Sequence, residues 1–274
     1  MSSDLAKRYV ELLKQTLAYG FWREPGVPLE EFLSGRPLLK RVFLRLAAGL
    51  RRAHLQVVRL PPDASQAREL GTTWPAQAHT MIGLRRLGNL QQCVERALAD
   101  EVPGDLIETG VWRGGACILM RGILAAHACR DRRVFVADSF QGLPEPDARY
   151  PADAGDAHHE IGFVAVSRHA VEENFRAFGL LDEQVVFLEG WFEDTLPVAP
   201  IESLCILRLD GDMYQSTWEA LTHLYPKLSP GGFCIVDDYA LDGCRQAVDA
   251  YRSEHGIDAP IEAIDWTGVY WRKP

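Results

Sequence analysis

Two carboxylate-bearing segments close apolar runs in this 274-residue chain: Asp210 and Asp212 end LCILRLDGD, and Asp237 and Asp238 follow the apolar FCIV of FCIVDDY. On adjacent strands of one parallel sheet, three or four of these carboxylates would converge at a single edge. Like charges brought so close are costly unless a cation neutralises them. A hard divalent ion with oxygen ligands would do so, and Mg²⁺ takes only a few carboxylates, keeping other positions for water or substrate. The competing reading has Asp237 and Asp238 capping the next helix and Asp210 paired with an arginine. With a metal, the chemistry is activation of a hydroxyl, since coordination lowers its pKa, and Asp210 could then take the proton as general base. A histidine of His158-His159 is the alternative base.

A second group lies upstream in Glu108-Thr109-Gly110-Val111-Trp112-Arg113-Gly114-Gly115. Its E-x-G-x-x-x-G pattern lacks the glycine triplet that seats a pyrophosphate on a helix N-terminus. The loop therefore suits a ligand without phosphates, and Glu108 could face the positively charged amino-acid end of a sulfonium cofactor. A glycine turn that only packs a helix on a strand is the plainer explanation. Asp138, in Val136-Ala137-Asp138-Ser139-Phe140-Gln141, stands where an acidic residue accepts hydrogen bonds from ribose hydroxyls, or caps a helix. Trp191 could lie against an adenine or merely cover the core rim. Together Glu108 and Asp138 read as an adenosine site beside a metal site, with a methyl group passing in line from sulfur to oxygen.

These residues require a sheet whose strands end at one edge. From Asp105 onward short apolar runs alternate with helical stretches, the pattern of βαβ units. Strands are expected at 106–108, 134–138, 185–189, 204–210, 233–238, 261–266 and 269–272, with helices at 114–128, 168–179, 216–228 and 242–255. Ser229-Pro230-Gly231-Gly232 reads as a turn into the fifth strand. Thr267-Gly268 joins the last two strands as an antiparallel hairpin. Seven strands with a terminal hairpin predict a doubly wound, Rossmann-like α/β sheet of the class I methyltransferase type. Residues 1–75 read as a helical N-terminal extension and lid, with helices at 4–19 and 37–52, and 76–274 as the catalytic domain, opening with a helix at 87–98. Pro61–Pro75 reads as a linker.

The composition is that of an ordinary globular protein, with 47% hydrophobic and 24% charged residues and a formal charge of -9. That balance argues against nucleic-acid binding. One segment, 32–60, opposes it: Arg36, Lys40, Arg41, Arg45, Arg51, Arg52 and Arg59 stand there without a carboxylate. Leu38, Leu39, Val42, Phe43 and Leu46 are interleaved, so a lid helix, a subunit contact or a membrane-surface helix are the readings. The six cysteines form no C-x-x-C pair and are expected as buried thiols in a reducing cytoplasm. The charged amphipathic N-terminus does not read as a signal peptide, and no apolar run is long enough to span a bilayer.

The motifs AHTMIGLRRLGNLQQCVERAL, ETGVWRGG, VADSFQGLP, GWFEDTLP, LRLDGDMY, LSPGGFCIVDDY and GVYWR, in this order across 75–273, resemble the macrocin O-methyltransferase family of antibiotic biosynthesis. The resemblance implies Mg²⁺-dependent transfer of a methyl group from S-adenosylmethionine to a deoxysugar hydroxyl on a macrolide- or aminocoumarin-type product. It implies Asp210, Asp237 and Asp238 as metal ligands, with Asp210 also the base. Thr80, Met81, Glu108, Thr109, Gly110, Val111, Trp112, Asp138, Ser139, Phe140, Gln141, Trp191 and Asp210 fall on its cofactor-contacting stretches. It further implies a glycosylated small-molecule acceptor and a homo-oligomer. The resemblance weakens from about 24 to 72, where acceptor specificity would reside. A catechol O-methyltransferase shares the chemistry, whereas a glycosyltransferase using Asp210-Gly211-Asp212 as its D-x-D motif would need a phosphate cradle that the Gly110 loop lacks.

Overall fold

The computed structural model describes residues 3–28, 44, 47–60 and 65–274. Seven strands form one sheet: β1 (Asp105–Thr109), β2 (Val134–Asp138), β3 (Val185–Glu189), β4 (Leu204–Leu209), β5 (Leu228–Val236), β6 (Glu262–Ala263) and β7 (Val269–Arg272). Their order across the sheet is β3-β2-β1-β4-β5-β7-β6. The first five are mutually parallel, and β7 pairs antiparallel with β5 and β6. This is the expected α/β fold with its terminal hairpin. Because β1 connects outward to β2 and the chain later returns beside it as β4, the crevice between β1 and β4 is the topological switch point where ligands bind.

Strand alternation divides the core between two faces. Leu106, Val134, Val136 and Ile235 face one side, and Ile107, Phe135, Ala137 and Val236 the other. Helices α1 (Ser3–Leu17), α3 (Leu84–Ala99), α4 (Gly115–Ala126) and α5 (Arg168–Ala177) cover the first face. In α3 the buried Leu87, Leu90, Val94 and Ala97 recur at helical spacing, which turns one stripe inward. Val10, Leu13 and Leu17 of α1 join the same core. The short α6 (Phe192–Thr195) follows β3, and α7 (Tyr214–Leu224) and α8 (Asp242–Glu254) cover the second face.

Three details differ from expectation. Pro61–Pro75 contains a helix, α2 (Ser65–Leu70). Polar composition masked it; the nearly buried Arg68 anchors it by donating to Tyr19 O and Trp22 O, both at 2.6 Å. Ser229–Gly232 lies inside β5, where the register jumps from Leu204↔Leu228 to Ile206↔Phe233, so the Pro-Gly-Gly stretch bulges out of the ladder. The final hairpin turns over 264–268, wider than two residues, because Asp265 accepts from the Thr267 and Gly268 amides at 3.1 and 2.8 Å. All six cysteines are free, and five are buried. Among the described residues no helix is long and apolar enough to cross a membrane. Residues 47–52 are helical; the rest of the expected 37–52 helix, apart from Leu44, and with it Leu38, Leu39, Val42, Phe43 and Leu46, lies outside the described residues.

Candidate active site

A cavity of about 690 Å³ opens at the carboxyl edge of the parallel strands, within the size range of small-molecule sites. Thr80, Met81, Glu108, Gly110, Val111, Trp112, Asp138, Ser139, Gln141, Trp191, Asp210, Asp237 and Asp238 all line it, as do His158 and His159. Thr109 and Phe140, of the expected set, are not among the residues lining it. Thr109 sits on a buried strand with its hydroxyl donating to Arg208 O at 3.5 Å, and Phe140 packs into the core beside Phe187.

The Gly110 loop is fixed from three directions. Gly110 has φ +82°, and a Cβ there would stand 1.8 Å from Asp210 O, so only glycine lets the ends of β1 and β4 touch. Both Asp138 oxygens are engaged, one accepting from Val111 N and the other from Phe140 N, each at 2.7 Å. Burial raises the Asp138 carboxyl against the pull of these amides. Asp138 thus holds the loop as well as facing the cavity. Gly115 at the start of α4 donates to His79 O at 3.0 Å, which brings Thr80 and Met81 to the wall. Trp112, Phe140 and Asp212 are non-glycine residues with φ of 47–57°, strain of the kind that concentrates at functional sites. Gly110→Ala should cost about 1–3 kcal/mol from backbone conformation alone, with the carbonyl clash added. Calorimetry should therefore show a melting temperature several degrees lower.

Between β1, β4 and β5 lies a network of buried charge. Glu108 and Arg208 stand opposite one another in the β1–β4 register. The Arg208 side chain, 1% exposed, is bonded to Glu108 and Asp237 and to Asp210 Oδ2 at 2.6 Å. Arg86 of α3 donates to the other Asp237 oxygen and to Asp265 at 3.0 Å. Glu108 therefore faces an internal arginine as well as the cavity, and it also accepts from the Cys117 thiol at 2.9 Å. Burial pushes its carboxyl up to about 7, with Arg208 opposing. Burial, with Asp210 adding to it, carries Asp212 to about 7. Asp238 is pushed well above the usual carboxylate range by burial and by Asp212, Asp210 and Asp237.

Arg208 and Arg86 were absent from the sequence-derived set. Their presence satisfies the alternative that Asp210 pairs with an arginine, yet the two guanidiniums do not balance Glu108, Asp210, Asp212, Asp237 and Asp238. One oxygen from each of Asp210, Asp237 and Asp238 lies within 4.8 Å of the others, the one such group among the described residues. A carboxylate oxygen bonded to arginine retains a second lone pair, so the donor set and the residual charge fit a hard divalent cation. His158 is held by Asp156, with Nδ1 at 2.6 Å from Oδ2, at the same cavity as Asp212.

The macrocin O-methyltransferase family model matches residues 6–273. The chain belongs to this family. It is an O-methyltransferase on a Rossmann-like methyltransferase fold. It is 57% identical over 213 residues to the demethyldecarbamoylnovobiocin O-methyltransferase of Streptomyces niveus, covering 76% of this chain and 80% of that protein. It is likewise 57% identical over 212 residues to the mycinamicin III 3''-O-methyltransferase of Micromonospora griseorubida, covering 76% and 84%. The solved structure of the O-methyltransferase NovP superposes with a TM-score of 0.82 at 47% identity, covering 98% of this chain and 99% of that one.

Proposed function

We propose that this macrocin-family enzyme transfers a methyl group from S-adenosylmethionine to a hydroxyl of a deoxysugar on a natural-product glycoside, with Mg²⁺ held by Asp210, Asp237 and Asp238. The observation that carries this reading is the juxtaposition, across one cavity, of the carboxylate trio with the Gly110 loop, Asp138 and Trp191. The sugar is supported by relatives named for 3''-O-methylation of mycinamicin III and for 4'-O-methylation of a rhamnosyl tetracenomycin.

When bound, Mg²⁺ would lower the pKa of an acceptor hydroxyl and orient its oxygen. Asp210, at once ligand and base, accepts the hydroxyl proton as the new C–O bond forms and the C–S bond breaks. Arg208 holds Asp210 from behind at 2.6 Å and so fixes the carboxylate that moves the proton. The Gly110 loop, pinned by Asp138, positions the methyl donor.

Two experiments follow. Purified enzyme with labelled S-adenosylmethionine should methylate mycinamicin III or another glycoside at a sugar hydroxyl, and leave catechol unlabelled; labelled catechol with unlabelled glycoside refutes the sugar acceptor. Metal binding requires the trio deprotonated. With the folded carboxyls of Asp212 and Asp238 raised, protons stabilise the metal-free fold at low pH, and that contribution is lost as pH rises, for Asp212 through about 7. The rise in melting temperature on adding Mg²⁺ should accordingly be largest at pH 8 and shrink toward pH 6; a pH-independent rise contradicts this.

A further inference from the structure

The rim of the cavity presents indole faces that the methyl-transfer step does not use. Trp266, in the turn of the terminal hairpin, lines the cavity and is 57% exposed among the described residues. Its Nε1 donates to Leu70 O at 2.8 Å. That bond fixes the ring against the end of α2 and uses the only hydrogen-bonding group an indole has, so a ligand meets a π-face alone. From Leu70 the chain runs through Gly71 to Trp74, which also lines the cavity, is 59% exposed and stacks on Phe163 with centroids 5.9 Å apart. Two exposed tryptophans at one cavity form a patch of the kind that marks a binding surface, unlike apolar residues scattered singly.

Sheet order assigns the ligand that Trp266 would meet. The β5–β7 register pairs Val236 with Val269, which sets the hairpin turn at the carboxyl end of β5. Asp237 and Asp238 follow β5, whereas the Gly110 loop and Asp138 follow β1 and β2 on the other side of β4. Trp266 therefore stands across the carboxylate trio from the donor loop. Its neighbours anchor it there: Thr267 Oγ1 donates to Asp237 O at 3.0 Å, and Asp265 accepts from Arg86, which also bonds Asp237. An acceptor whose hydroxyl lies at the trio, between donor and hairpin, extends past Trp266 toward solvent. The part of a glycoside that extends outward is its aglycone.

We propose that Trp266 stacks on the aglycone of the acceptor, and that this aglycone is a planar aromatic ring system rather than a saturated macrocycle. This rests on the sugar-acceptor reading above. A flat ring on the fixed indole face gains stacking energy beyond the area it buries; a puckered saturated surface gains the burial alone.

Calorimetric titration of the enzyme with Mg²⁺ and S-adenosylhomocysteine present tests the assignment. The probes are a naphthyl glycoside of the sugar that the labelling assay shows to be methylated and its decahydronaphthyl counterpart. The wild-type enzyme should bind the naphthyl compound about three- to tenfold more tightly. Trp266→Leu, which keeps apolar bulk at an exposed position, should bring that ratio close to one, and Trp266→Phe should retain most of it. Both variants lose the bond to Leu70 O, so a residue that merely anchored α2 would respond alike to either change. A wild-type ratio near one, as cover of Trp266 by another part of the chain would give, overturns the assignment. So does a Leu variant that keeps the wild-type ratio, or a Phe variant that matches the Leu one. If the labelling assay finds no glycoside methylated although S-adenosylhomocysteine binds, the sugar-acceptor reading itself fails and the platform falls with it.

Discussion

Asp210→Asn should lower turnover by about a thousandfold or more while changing S-adenosylhomocysteine affinity only a few-fold. Two losses combine in this variant. General-base catalysis alone contributes about 10²–10⁴, and an amide is a weaker ligand for a hard cation than a carboxylate. The fold should survive, since asparagine is isosteric and can still accept from Arg208, and removing one of several crowded buried carboxylates relieves repulsion. Single-turnover kinetics together with nucleoside titration separates the effects. Unchanged turnover would remove Asp210 from the mechanism, and loss of nucleoside binding alone would make it a cofactor residue.

Arg208→Met should have the largest effect on stability. The side chain is 1% exposed and bonded to Glu108, Asp210 and Asp237. Breaking a buried charge network by removing one partner typically costs about 3–5 kcal/mol, which in a chain of this size lowers the melting temperature by roughly 10 °C. Arg208→Lys keeps the charge but not the planar fork that reaches several carboxylates at once, so it should recover part of the loss. Calorimetry of both variants in the presence of a chelator checks this; a methionine variant as stable as wild type would show that the carboxylates are held by something else.

Sequence made the sheet readable because β1, β2, β4 and β5 are buried on both faces, so they appear as short apolar runs between helical patterns. The trio was readable for the same reason: each of Asp210, Asp237 and Asp238 follows directly on a strand, and parallel strands end at one edge. Arg86 was not, because its partners Asp237 and Asp265 are brought to it only by tertiary packing. Arg208 did leave a trace. A lone cation inside LCILRL must find carboxylates if the strand is buried, and the pairing of β1 with β4 places Glu108 beside it. Helix α2 left no apolar stripe, since an arginine bonded to backbone carbonyls supplies its anchor. Trp266 resembles any surface aromatic until the cavity beside it is known.

The central claim, a carboxylate-held metal ion in methyl transfer to a sugar hydroxyl, is tested most directly by following the transfer of a ¹³C-methyl group from S-adenosylmethionine to a natural-product glycoside that the labelling assay shows to be accepted, by NMR, before chelation, after exhaustive chelation and after Mg²⁺ is restored. The expected result is a single new O-methyl signal on the sugar that disappears with the metal and returns with it. A signal of the same intensity after chelation, or a methyl group attached elsewhere than to a sugar oxygen, would contradict it.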